Sequence, residues 1–168
     1  ALPARQVRRN VRGVTVPNAT VALLRRHIGI WEGDYTHIDP ADRSVQEQFA
    51  FRIKVECPDD GPIASRQTSR YRWHDGRSTE LVYTGIARDD RLLIDDGRVW
   101  GEVRAIEPQT LYMRFAYATD PASQVAEMIQ LSPDGQHRAR TWHWLRDGQL
   151  WRITLVRERR TSRDLSDW

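Results

Sequence analysis

Glu127, Arg140 and Tyr71 supply an acid, a cation and a phenol. Gathered in one dry cavity, such a set could move a proton, stabilise a developing charge and donate a hydrogen bond. The expected roles are acid/base for Glu127, charge stabiliser for Arg140 and hydrogen-bond donor for Tyr71. Trp142, Trp144, Trp151, Trp100 and Tyr71 could form an apolar wall for a ligand, with Arg140 anchoring a carboxylate or other polar head. The competing reading is structural: a buried arginine needs a partner, and a Glu127–Arg140 bridge beneath a Trp-rich core would supply it.

Whether these residues meet depends on two turns. In the stretch "RARTWHWLRDGQLWRITLV", a two-residue turn at Asp147-Gly148 sets Arg146 opposite Gln149. Counting back pairs Trp144 with Trp151, Trp142 with Ile153, Arg140 with Leu155 and Arg138 with Arg157. A four-residue loop over "PDGQ" (133–136) pairs Leu131 with Arg138, Ile129 with Arg140 and Glu127 with Trp142. Residues directly opposite share a face. The expected interior therefore holds Glu127, Ile129, Leu131, Arg138, Arg140, Trp142, Trp144, Trp151, Ile153, Leu155 and Arg157. The expected outer face carries Gln130, His137, Thr141, His143, Arg152, Thr154 and Glu158.

Two further strands are ambiguous. The "HDGR" turn (74–77) is read as pairing Tyr71 with Glu80 and Trp73 with Ser78. The face with Gln67, Ser69, Tyr71 and Trp73 is taken inward, which leaves Arg66, Arg70, Arg72, Leu81 and Tyr83 outside. Trp100 alternates with Val99 and Gly101, so either set can face in; Glu102 follows Trp100, and its solvent-facing placement is preferred. The histidines at 27, 37, 74, 137 and 143 show no metal-ligand spacing, and His37 reads as a surface residue near one end of the first strand. Cys57 has no evident base nearby, and no nucleotide, nucleophile-elbow or zinc motif is present. No cofactor or metal is expected.

The elements that must position these residues are short alternating stretches punctuated by Asp-Gly turns. Strands are predicted near 30–38, 45–56, 64–73, 78–86, 91–95, 98–106, 110–117, 125–132, 137–145 and 150–158. Short connections make them an antiparallel meander, and closure removes the edges an open sheet would expose. The expected fold is an all-β, closed antiparallel up-and-down β-barrel of about ten strands with an N-terminal helix; a two-sheet sandwich is the alternative. "PNATVALLRRHIG" predicts the helix, with Asn18 as N-cap, Val21, Leu24 and Ile28 on one face, and Gly29 as the stop. The expected organisation is a basic arm over 1–16, a barrel domain over 17–158 and a charged tail over 159–168.

The chain has 168 residues, one cysteine and a net charge of +3, with Lys54 the only lysine. One domain with a substantial core fits that length. No apolar run reaches membrane-spanning length and no secretory pattern opens the chain, so a cytoplasmic setting is expected. Arginine clusters near both ends would suit nucleic acid, but 23 acidic residues are interspersed along the chain, so solvated tails are the preferred reading. The expected partner is a small apolar or aromatic ligand, with a homodimer as an option.

"GIWEGDYTHID" places Gly29 and Trp31 in a G-x-W arrangement behind the helix, and an arginine, Arg157, falls near the end of the last strand. This resembles the lipocalin and calycin superfamily. With "YRWHDGR" and "RARTWHWLRDGQL", the chain looks like bacterial lipocalin-like proteins of unassigned function, distant relatives of phycobiliprotein lyases. The resemblance implies that the last strand pairs with the first, with Arg157 packed over Trp31. It departs from typical lipocalins in lacking disulfide cysteines and in strand number. The resemblance itself implies little about chemistry; with the aromatic wall and the Arg140 anchor, the expected function is intracellular small-molecule binding. Because calycin barrels also host cyclases, isomerases and lyases, a cofactor-independent enzyme is the alternative. A pigment-presenting lyase is a third reading, and haem, held by a histidine in nitrobindin-like barrels, is a remote one.

Overall fold

Residues 18–168 are described in a computed structural model. The expected 1–16 arm lies outside the described residues. Helix α1 (Ala19–Arg26) leads into ten strands: β1 (Gly29–Ile38), β2 (Val45–Glu56), β3 (Ile63–Arg72), β4 (Ser78–Arg88), β5 (Arg91–Asp95), β6 (Val99–Glu107), β7 (Thr110–Tyr117), β8 (Asp120–Leu131), β9 (His137–Arg146) and β10 (Gln149–Ser162). A single 3-10 turn, Leu165–Asp167, follows. β10 runs four residues past the predicted end of the last strand.

Each strand pairs antiparallel with its sequence neighbours, and β10 pairs with β1, so the sheet is a closed ten-stranded barrel. Closure leaves no edge, as the hairpin rhythm anticipates. Asn18 caps α1, its side chain accepting from the Val21 amide at 3.1 Å. The buried face of the helix is Thr20, Leu23 and Leu24 rather than Val21, Leu24 and Ile28. Thr20 fixes the helix to the barrel: its hydroxyl donates to the Asp90 carbonyl at 2.6 Å and accepts from the Ala105 amide at 2.9 Å.

The seam between β1 and β10 depends on a missing side chain. A Cβ at Gly33 would lie 2.0 Å from the Arg157 carbonyl oxygen, which is backbone and cannot swing away. Gly33→Ala is expected to destabilise the protein by about 1–3 kcal/mol, read as a lower urea midpoint; an unchanged midpoint would show that the seam tolerates a wider spacing.

Two registers differ from expectation. Asp147 and Gly148 both have positive φ, and Arg146 faces Gln149 as predicted. Beyond Leu150↔Leu145, however, the next pair is Arg152↔Trp144, so Trp151 is an extra residue in a β-bulge. One extra residue inverts the facing of everything after it. The inner face of β10 is therefore Thr154, Val156, Glu158 and Arg160, while Leu155 and Arg157 point outward. On the other hairpin Arg72 pairs with Ser78, so the loop is one residue longer than read, and Tyr71 faces Thr79. Tyr71 still points inward, but Tyr83 joins it there instead of facing out.

Candidate functional site

The β8–β9 register is as the sequence implies: Glu127↔Trp142, Ile129↔Arg140 and Leu131↔Arg138. β10 adds Glu158 opposite Arg138 and Val156 opposite Arg140. Four charges thus share one inner wall. Arg140 Nε donates to Glu127 Oε1 at 2.5 Å. Arg138 grips Glu158 with two bonds, Nε to Oε1 at 2.6 Å and Nη2 to Oε2 at 2.7 Å. Arg140 Nη1 lies 3.7 Å from Glu158 Oε1, outside hydrogen-bond range. Glu127 is 1% exposed and Arg140 6%. Burial pushes the Glu127 carboxyl above the ordinary carboxylate range, against the opposing pull of Arg140. Burial also works against the charge on Arg140, but Glu127, Tyr35 and Glu158 more than offset it, so the guanidinium stays charged.

Beside this wall lies a cavity of about 120 Å³. Glu127, Arg140, Trp142 and Tyr71 line it, which brings together the three expected chemical residues and part of the expected aromatic wall. Tyr35, Tyr83, Met113, Phe115 and Tyr117 complete much of the remaining surface. Trp144 and Trp151 lie nearer one end of the barrel: Trp144 stacks on Tyr117, with centroids 5.8 Å apart, and Trp151 packs edge-on against Trp144 at 5.8 Å. Trp100 is not part of the wall. It is 48% exposed on the outer face, because Val99, Gly101 and Val103 take the inner phase of β6. Phe115 fills the space over Gly101, where a Cβ would come within 2.6 Å of it. Glu102 also faces outward and is tied to Arg91 at 2.8 Å.

At the helix end of the barrel, Trp31 is fully buried and donates its indole N–H to the His27 carbonyl at 2.9 Å. The arginine over it is Arg160, with its guanidinium carbon 4.5 Å from a ring centroid, joined by Arg138 at 4.4 Å. Arg157, expected there, is exposed because the Trp151 bulge shifts the phase of β10.

Tyr35 and Glu158 were missed in sequence. Tyr35 could have been found, because it follows Trp31 at period four along an alternating strand. By the same logic His37 faces inward, and it is buried rather than on the surface. Its Nδ1 lies 2.7 Å from the Thr154 hydroxyl, which also accepts from Trp144 Nε1 at 2.8 Å. Burial first and Arg152 second, opposed by Glu47, lower the His37 pKa to about 4. Burial and Arg138 lower His27 to about 2.

Both histidines bind fewer protons folded than unfolded below their free value of about 6.5. Their neutral forms support the fold above that pH, and the support is lost as pH falls. The urea midpoint should be flat from pH 8 to 7 and fall steadily from about 6.5 toward 4. His37→Gln should flatten part of that slope. A slope unchanged by the substitution would place His37 in solvent.

Fold and interior together define a lipocalin-like barrel. No protein-family model matches the chain. No curated protein matches it in sequence. Among solved structures, the S-type phycobiliprotein lyase from Guillardia theta superposes with a TM-score of 0.66 at 15% identity, over 83% of this chain and 90% of that one. A protein of unknown function from the DUF3598 family of Nostoc punctiforme gives 0.61 at 18% identity over 82% of this chain; the match spans 49% of that protein, about half its length. Rv2717c from M. tuberculosis gives 0.58 at 12% identity, over 87% and 98% of the two chains. At these identities the likeness is one of fold. Among the described residues, no helix is long and apolar enough to cross a membrane, and no cluster of three metal-ligating side chains occurs.

Proposed function

We propose that the barrel binds a small aromatic or apolar molecule in its interior, with a polar group of the ligand directed at Arg140. The observation that carries this reading is the cavity of about 120 Å³ against the Glu127–Arg140 pair. A solid core would have closed such a space, since protein interiors pack at crystal density. Its walls are largely aromatic and aliphatic, with a few convergent polar groups, which is the usual composition of a ligand site. A dry apolar cavity of about 150 Å³ holds a benzene molecule, whereas pockets for larger ligands run from about 300 Å³ upward. Size therefore favours a single-ring ligand over a lipid or a tetrapyrrole.

The fold likeness to a phycobiliprotein lyase supports a barrel interior as the place of binding. It also keeps a second reading open, a lyase, isomerase or cyclase acting inside the barrel. The specific observation in favour of that reading is Glu127, a fully buried carboxyl pushed upward and therefore suited to hold a proton. Glu127 would then exchange the proton, with Arg140 stabilising charge and Tyr71 donating a hydrogen bond.

Solvent extraction of freshly purified protein, followed by mass spectrometry, tests the binding reading. A stoichiometric compound of about one aromatic ring is the expected result. A stoichiometric tetrapyrrole or long-chain lipid would contradict a cavity of this size as the site. With a ligand in hand, Glu127→Gln separates the two readings: a carrier keeps its affinity, and an enzyme keeps binding but loses turnover.

A further inference from the structure

The cavity has donors left over, while the charged pair that lines it, Glu127 and Arg140, is matched. Arg140 Nη1 is buried without a hydrogen-bond partner, and so is the Tyr35 hydroxyl. Arg140 is 6% exposed and Tyr35 2%, and both side chains line the cavity. A guanidinium has no acceptor, so what Arg140 lacks is an oxygen. A phenol can donate to the same atom. A buried donor without a partner is costly, and native proteins rarely leave one so.

The charge balance restricts what that oxygen can belong to. Of the charged groups, only Glu127 and Arg140 line the cavity and they pair with each other, and the neighbouring Arg138–Glu158 bridge is itself a matched pair. Arg160 is also buried, but it lies against Trp31 and donates to the Arg26 carbonyl at the helix end, outside the cavity wall. His27 is neutral because its Nδ1 faces an Arg138 donor, and burial keeps His37 neutral, its pKa lowered to about 4. A carboxylate ligand would add an uncompensated anion beside Glu127 in a desolvated site, which is strongly unfavourable. A neutral carbonyl oxygen meets the donors without that penalty.

We infer that the cavity is built for a neutral, ring-sized molecule bearing a hydrogen-bond-accepting oxygen, such as an aryl carbonyl, and that it discriminates against aromatic carboxylates. This rests on the binding reading above and narrows the polar head to an uncharged acceptor. Arg140 and Tyr35 would hold the oxygen, while Trp142, Phe115 and Met113 enclose the ring.

Three probes of similar shape test it: ethylbenzene, acetophenone and benzoate, titrated calorimetrically at pH 7.5. Acetophenone should bind at least tenfold tighter than benzoate and at least threefold tighter than ethylbenzene. Tyr35→Phe, which keeps the ring and removes the hydroxyl, should bring the acetophenone-to-ethylbenzene ratio toward one. Benzoate binding as tightly as acetophenone would overturn the inference, and proton uptake measured in two buffers would then show Glu127 taking a proton to admit it. Ethylbenzene binding as well as acetophenone would overturn it too, while leaving the apolar cavity intact. Binding by none of the three would overturn the ligand-binding reading itself, and the inference with it.

Discussion

Arg140→Ala is expected to cost about 3–5 kcal/mol of stability, because it leaves Glu127 as an unpaired buried carboxylate. Most domains have only about 5–15 kcal/mol in hand, so the urea midpoint should fall by a large fraction of its value. The loss should shrink at lower pH. With the guanidinium gone, burial of Glu127 loses its main opposition, and protonation relieves the isolated charge. Removing both charges should hurt less than removing one. Glu127→Met combined with Arg140→Met is expected to be more stable than Arg140→Ala alone, and the double-mutant cycle should show coupling of roughly 2 kcal/mol or more. An Arg140→Ala protein as stable as the parent would mean that the pair is not buried.

The second large effect is at Trp31. Trp31→Ala should cost about 3–5 kcal/mol from the cavity it leaves. It also removes the ring against which Arg138 and Arg160 rest, at roughly 0.5–2 kcal/mol for each such contact. The indole bond to the His27 carbonyl ties the helix end to β1, so the loss should extend beyond local packing. Trp31→Phe keeps a ring and should recover more than half of the stability, while losing the bond to His27. Urea unfolding checks the ranking. Alanine and phenylalanine variants of equal stability would show that the arginines gain nothing from the ring.

What could be read in the sequence was fixed by turns of known geometry. The Pro133–Gln136 loop set the β8–β9 register, and through it the meeting of Glu127 with Arg140, correctly. Strand number, closure and the Asn18 cap followed from alternation and capping chemistry. The phase of β10 could not be read, because nothing in Leu150-Trp151-Arg152 marks a bulge; the extra residue is set by how the hairpin twists into the barrel. That single displacement moved Arg157 out, put Arg160 over Trp31 and brought Glu158 to Arg138. Trp100 was undecidable from alternation alone, since Val99, Gly101 and Val103 are small or modest apolar residues that suit either face. A Cβ at Gly101 would collide with the Arg114 carbonyl oxygen and with Phe115, a constraint of packing between strands rather than of pattern along one.

If the cavity beside Arg140 takes a ligand, the tryptophans report on it by position. Trp142 lines the cavity, while Trp100 is on the outer face and Trp168 stacks outside among Arg52, Lys54 and Arg70. A nitrogen–proton correlation spectrum resolving the indole signals, followed through an acetophenone titration, measures this directly. A saturable shift of the Trp142 indole is expected, with Trp100 and Trp168 unmoved. A Trp142 signal that stays still, or shifts confined to Trp100 and Trp168, would contradict it.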